Sequence, residues 1–558
     1  MQNCYSLGLD FGTNSVRALI LDLLSGEEIA SEAAPYPSGE RGILLDEKNP
    51  HIARQHPADY SFSMERVVRE TVAHARQKGV KPKDIRGIGV DTTGSTPLPV
   101  DSSLQPLGVQ KEFRNNLNAQ AWLWKDHSSA SEAEQITTLA AQHRPQYLKK
   151  CGGAYSSEWF FSKIFHCLNV DRAVFEAAYS WLELSDYIPV LLCGITDVHQ
   201  VKRNRCAAGH KAMFNEDWGG LPDREFLHQL HPDLANLRDR LYERAYSSDQ
   251  IAGYLSEEWA AKLGLTPGIP VAVGILDAHA GAVGSGVRKG VLVKILGTST
   301  CDIMVSPLDE PLEDIPGVAG IVNGSVLPGY IGIEAGQSAV GDIFDWFVTR
   351  VLNQSEEYHQ VLTDKAAQLR AGQSGLLALD WNNGNRNILT DPNLTGLLVG
   401  QTLHSTQFEI YRALIEATAF GAKRIIEQME DYGVKIEKVI NCGGIAEKNP
   451  LVMQIYADIL GRPMEVAGSS QAAALGAAIF GGMVAFAGKT GFQNVGEIQQ
   501  RVCKVKDRVF RPDSGECRVY EKLYELYKKL HDGFGVRDCS LSLYPVMKEL
   551  LRIKQAVS

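Results

Sequence analysis

Asp10-Phe11-Gly12-Thr13-Asn14 gathers a carboxylate, a glycine and two hydrogen-bonding side chains, and Gly297-Thr298-Ser299 repeats the glycine–hydroxyl part half a chain later. Glycine lets a backbone approach a ligand closely, and clustered N–H and hydroxyl donors suit phosphate oxygens. A carboxylate at a strand end beside such donors can hold Mg²⁺ through water, since hard cations favour oxygen and retain hydration. The bland alternative for Asp10 is a turn-forming aspartate. One Gly-Thr turn means little. Two in matching contexts point to two related domains, each offering a hairpin to a shared ligand.

Cys442-Gly443-Gly444 follows an apolar run and precedes Asn449-Pro450. Paired glycines between a strand and a helix let a nucleotide lie against the backbone. Asn449 suits a base or ribose, or else it caps the helix that Pro450 opens. No GxxxxGK[ST] pattern occurs around these turns. Asp277 stands just past a strand over 271–275, where a carboxylate can take a proton from an attacking hydroxyl. Phosphoryl transfer otherwise rests on in-line positioning and charge stabilisation. The alternative is that Asp277 caps the following helix. His279 reads as a packing or hydrogen-bonding residue rather than a metal ligand. The runs 122–127, 208–211 and 332–337 set sparse polar groups among aromatic and glycine residues, which suits a neutral polyol.

These groups need rigid supports, and the pattern supplies them. Strands are expected over 6–11, 16–22, 28–33, 85–90, 271–275 and 438–441. Helices are expected over 58–78, 131–142, 158–167, 408–432, 450–460, 472–487 and 517–530, with a small-residue turn of helix over 281–286. The interval 194–254 reads as loop-rich, and the tail after 530 has no clear pattern. Strands alternating with helices in both halves indicate an α/β fold.

At 558 residues the chain exceeds one ordinary core, so two domains are expected, meeting near Gly264-Leu265-Thr266-Pro267-Gly268. A net charge of −10, with no Lys/Arg-rich block, argues against nucleic acid or an anionic membrane as partner. The ten cysteines show no metal-ligand spacing and read as free thiols of a reducing cytoplasm. Residues 1–3 lead straight into a strand with no leader pattern, and the apolar run 188–195 is too short to span a bilayer.

LGLDFGT (7–13), LGTST (296–300), GILDAHAG (274–281) and CGGIAEKNP (442–450) together resemble the FGGY carbohydrate kinases of the actin-like ATPase superfamily. The segment 396–416 is similar to that family's C-terminal signature and departs from it at Gln401 and Leu414. The resemblance implies two RNase H-like domains with ATP in the cleft between them. Residues 1–260 would be mainly sugar-binding; residues 261–558 would be mainly nucleotide-binding and end in a helical tail. It implies Asp277 as general base and Asp10 as the residue positioning Mg²⁺. Gly12, Thr13, Asn14, Gly297, Thr298 and Ser299 would contact phosphates, while Gly443, Gly444 and Asn449 line the nucleotide. Lys211 and Glu334, with the backbone around Gly94, Ser95 and Thr96, match sugar positions. The acceptor implied is a small-molecule ketopentose, ribulose being favoured over xylulose or ribitol by the phrases at 156–159 and 209–211. The resemblance allows a homodimer. A rival of another class is an actin- or chaperone-like nucleotide switch, which would turn over ATP without a sugar.

Overall fold

The computed structural model describes residues 4–310, 312–486 and 492–557. The expected entry at 1–3 and the expected helix end at 487 lie outside the described residues.

Two sheets repeat one plan. In the first, Tyr5–Phe11 and Ser15–Asp22 form an antiparallel hairpin extended by Glu28–Pro35, and Ile85–Thr92 joins Tyr5–Phe11 in parallel. In the second, Val291–Leu296 and Thr300–Pro307 form the hairpin, Tyr330–Ala335 extends it antiparallel, and Lys438–Cys442 joins Val291–Leu296 in parallel. Both hairpin tips and both parallel strand ends therefore deliver their residues to one edge. This is the open α/β arrangement in which ligands collect beyond the carboxyl ends of parallel strands.

The sheets are joined through a shared core. Leu19, Leu21, Val293, Ile303 and Ile440, from both sheets, belong to a single buried cluster with Ala474, Ala478 and Ile479 of the helix Ala472–Phe486. That helix can lie close because its strand partners lack side chains. A Cβ at Gly8 would sit 1.9 Å from the Ala474 carbonyl, and one at Gly89 would sit 1.8 Å from that of Ala477. Glycine at these two positions is a packing requirement.

The expected boundary at 260/261 does not match the strand pairing. Pro270–Ala272 and Ile275–Leu276 both pair in parallel with Ile85–Thr92, so the first sheet continues past it. The single strand expected over 271–275 is interrupted around Gly274, where any Cβ would strike the Ser185 carbonyl at 2.0 Å. The interval 194–254 is also more ordered than its turn-rich sequence suggests. It holds helices Arg205–Lys211, Arg224–Leu230 and Pro232–Arg238, packed into a separate core with Trp122, Trp159 and Trp181. The tail contains helices Ser514–Gly535 and Val546–Val557, whose buried faces cover the second sheet's outer helices. Among the described residues no helix is long and apolar enough to cross a membrane.

Candidate active site

A cleft of about 540 Å³ runs between the hairpin tips and is lined by residues of both sheets. Its lining takes in a glycine-rich group, Gly12, Thr13, Asn14, Gly297, Thr298, Ser299, Gly443 and Gly444, and with it Gly94, Lys211, Asp277, Glu334 and Asp10.

The glycine-rich group is shaped by local backbone bonds. The Gly12 amide donates to the Ser15 carbonyl at 3.0 Å and the Gly297 amide to that of Ser299 at 3.0 Å, closing both hairpin tips. The Thr298 carbonyl accepts the amides of Val340 (2.8 Å) and Asp342 (3.1 Å), seating the second tip against a short helix while its side chain stays exposed. Gly443 has φ +93°, and a Cβ there would meet the Leu296 carbonyl at 2.5 Å. The position is therefore closed to other residues by both conformation and space.

Asp10 sits opposite Arg17 across the first hairpin, and its Oδ2 receives an Arg17 N–H at 2.9 Å. Beside it in register is Asp91, fully buried, which the sequence reading had not selected. Burial first, then the charges of Asp10 and Asp277, push the Asp91 carboxyl well above the usual range. Asp277 opens the helix Asp277–Gly284, and its Oδ1 accepts the Ala278 amide at 2.7 Å. Burial, then Asp10, raises Asp277 to about 7. Three carboxyl groups are thus electrostatically coupled, two of them, Asp10 and Asp277, lining the cleft and the third, Asp91, buried beside Asp10. Their mutual repulsion is the condition that a hard, oxygen-preferring cation relieves, so the donor set fits Mg²⁺.

The rest of the lining is built largely from buried side chains. Lys211 closes the helix Arg205–Lys211, and its Nζ donates to Glu334 Oε1 at 2.8 Å. Tyr155 Oη fixes the same turn by donating to the Lys211 carbonyl at 2.6 Å. His210 Nδ1 lies 3.3 Å, and His279 Nε2 3.5 Å, from Glu334 Oε2. Burial alone would neutralise Glu334, but Lys211, His210 and His279 override it and hold the carboxyl below the usual range. Burial lowers His279 to about 4 and takes His210 well below the usual imidazole range, so both imidazoles are neutral at pH 7.

Three expected site residues do not reach the cleft. Asn449 caps the helix Pro450–Leu460: its Oδ1 accepts the Val452 amide at 3.1 Å, and its Nδ2 faces Thr363 Oγ1 at 3.4 Å. The capping alternative is the one realised. Ser95 and Thr96 are buried behind Gly94, with the Ser95 hydroxyl on Glu183 and the Thr96 hydroxyl on Thr93. Conversely, Arg17, Trp124, Glu158, His279 and Arg386 line the cleft without having been selected for it. The 122–127 cluster was a usable signal for Trp124, whose Nε1 donates to Thr13 Oγ1 at 3.1 Å. Arg386 carried none; its Nη1 comes within 3.9 Å of Glu158 only through tertiary folding.

Comparison with known proteins agrees with this layout. The family model described as the N-terminal domain of the FGGY family of carbohydrate kinases matches residues 5–284, and its C-terminal counterpart matches residues 292–485. A ribulokinase of Geobacillus thermodenitrificans is 40% identical over 546 residues, covering 95% of this chain and 94% of that protein. One of Halalkalibacterium halodurans is 40% identical over 550 residues, covering 96% of each. The crystal structure of a xylulose kinase from Rhodospirillum rubrum superposes with a TM-score of 0.76 at 22% identity, covering 95% of this chain and 98% of that one.

Proposed function

We propose, from the premise that this chain belongs to the FGGY family of carbohydrate kinases, that its sugar is L-ribulose and its product L-ribulose 5-phosphate. The observation that carries the reading is the single cleft holding Asp277, the buried Lys211–Glu334 pair and both glycine hairpins. The relatives named ribulokinase support the choice of acceptor. The reaction would serve L-arabinose breakdown in the cytoplasm.

ATP lies with its phosphates along Gly12–Thr13 and Gly297–Thr298 and its nucleoside against Gly443–Gly444. Lys211 and Glu334 hold the ketopentose by its hydroxyls, with the Gly94 backbone at its edge. Asp277 takes the proton of the terminal hydroxyl as that oxygen attacks the γ-phosphorus. The new O–P bond forms as the bond to the β,γ-bridging oxygen breaks, and ADP leaves with that electron pair. Mg²⁺, positioned by Asp10, would supply charge neutralisation on the β- and γ-phosphates. Closure of the two halves would exclude water from the transfer.

The deciding experiment measures ADP release with L-ribulose, D-ribulose, xylulose and ribitol, and with no acceptor. We expect L-ribulose to give the largest kcat/KM, far above the sugar-free rate. Preference for another pentulose or pentitol would reassign the acceptor. Turnover indifferent to every sugar would return the chain to the nucleotide-switch class.

A further inference from the structure

Behind the acceptor loop lie two buried charged residues that the reaction above does not use. Glu183 ends the strand Ser180–Glu183 and is 4% exposed; Lys163, on the helix Phe160–Val170, is fully buried. The Glu183 carboxylate accepts the Ser95 hydroxyl on one oxygen and the Thr96 amide on the other at 2.8 Å. Lys163 Nζ donates to the Ser95 carbonyl at 2.8 Å and to the Leu123 carbonyl at 2.9 Å. The loop is thus held by two charged groups at adjacent residues, and of residues 94–96 only Gly94 lines the cleft. Through Leu123 the same ammonium holds the segment bearing Trp124, whose indole touches Thr13 of the first hairpin.

An ion buried among apolar side chains is costly, and a neutral hydrogen-bonding residue would satisfy the same carbonyls more cheaply. Charge-assisted bonds are shorter and stiffer than neutral ones, which suits a backbone that must stay fixed against a ligand. We propose that Glu183 and Lys163 are positioning residues that clamp the loop 94–96 and thereby set affinity for the sugar without touching it. The inference rests on the acceptor assignment given under the proposed function.

Their surroundings add a pH signature. Lys163 is pushed down by burial, against the pull of Glu183 and Glu158 and with the push of Arg54 and Lys211. Glu183 is pushed up by burial, opposed by the Ser95 and Thr96 bonds and by Lys163, and abetted by Asp186. Deprotonating Lys163 leaves a neutral amine whose two N–H donors bond the Ser95 and Leu123 carbonyls without charge assistance, so the grip slackens and sugar affinity falls on the alkaline side, below the ordinary lysine range. Lys211 does not share this limb, because Glu334 outweighs burial and raises it.

The test compares wild type with Glu183→Gln, Lys163→Met and Ser95→Ala, measuring KM for sugar and for ATP across pH. Glu183→Gln is nearly isosteric and Ser95→Ala removes one hydroxyl, so two variants guard against misfolding. We expect sugar KM to rise about tenfold in Glu183→Gln and Lys163→Met and less in Ser95→Ala, with ATP KM within about twofold of wild type. The alkaline limb of kcat/KM for sugar should vanish in Lys163→Met and persist in Glu183→Gln. Hydrogen exchange at the Thr96 amide should quicken in both, at an unchanged exchange rate in the first sheet's core. An unchanged sugar KM, parallel rises in both KM values, or an alkaline limb retained in Lys163→Met overturns the clamp. If wild type turns over no sugar, the proposed function fails, and the Thr96 exchange rate still decides the clamp: unaltered exchange refutes it.

Discussion

At the proposed donor end, the groups offered to a ligand are the backbone around Gly12, Gly297 and Gly443 and the exposed side chain of Thr298. At the proposed acceptor end they are the side chains of Lys211, Glu334 and Asp277, brought from three separate elements and packed against His210 and His279. The donor end spends little stability, because backbone donors at turns are partly solvated before any ligand arrives. The acceptor end stores charge in a buried place and survives only while each charge keeps its partner. The difference follows the ligands. Phosphates are alike in every nucleotide and can be read by generic donors, whereas a sugar is told from its epimer only by groups committed to particular hydroxyls.

Substitutions should therefore separate the two ends. Asp277→Asn should lower sugar-dependent kcat by about 10³-fold, within the range for losing a positioned base, while ATP binding measured by calorimetry stays near wild type. Equal losses of kcat and ATP affinity would mean that Asp277 belongs to the donor end. Lys211→Met leaves Glu334 as a buried unpaired carboxylate and should cost about 3–5 kcal/mol of stability in chemical denaturation, besides abolishing sugar saturation. A stability loss as small as that of a surface lysine would break the contrast.

The pH dependence sharpens it further. Asp277 is raised to about 7, and a base must be ionised to act, so kcat should fall as pH drops through that value. Below it the decline approaches about tenfold per pH unit, read from initial rates at saturating sugar and ATP. The limb should sit near an ordinary aspartate value only if bound substrate or metal removes the burial and the Asp10 repulsion. Gly443→Ala forces a φ of +93° on alanine and a Cβ against the Leu296 carbonyl. It should cost about 1–3 kcal/mol and raise KM for ATP with KM for sugar unchanged.

The two ends also differed in how legible they were. The hairpins, Gly443 and Asp277 could be selected from residue order, because turn chemistry is local: glycine, a hydroxyl and a carboxylate stand within a few residues. Lys211 and Glu334 stood in polar runs suited to a polyol, but only the family resemblance joined them in one site, since 123 residues separate partners that sit 2.8 Å apart. Ser95 and Thr96 were assigned to the sugar by the family resemblance, and Asn449 to the nucleotide by its amide and that resemblance, yet their side chains turn to Glu183, Thr93 and Val452. Sequence gave no direction for them. The boundary near 260 failed for a similar reason: strands as short as Ile275–Leu276 carry no periodicity and exist only as partners of Ile85–Thr92.

The sequence by itself determined the α/β class, the duplicated hairpins and the glycine turns, because period-two strands, capped helices and Gly-Thr tips are dictated by neighbours along the chain. Tertiary structure alone decided that Asp91 and Asp277 feel the charge of Asp10, that Glu334 stays charged between Lys211 and two neutral histidines, and that Lys163 and Glu183 hold the loop 94–96. Charge in a buried place depends on what the fold brings within a few ångströms of it, and that distance is written nowhere in the order of the residues.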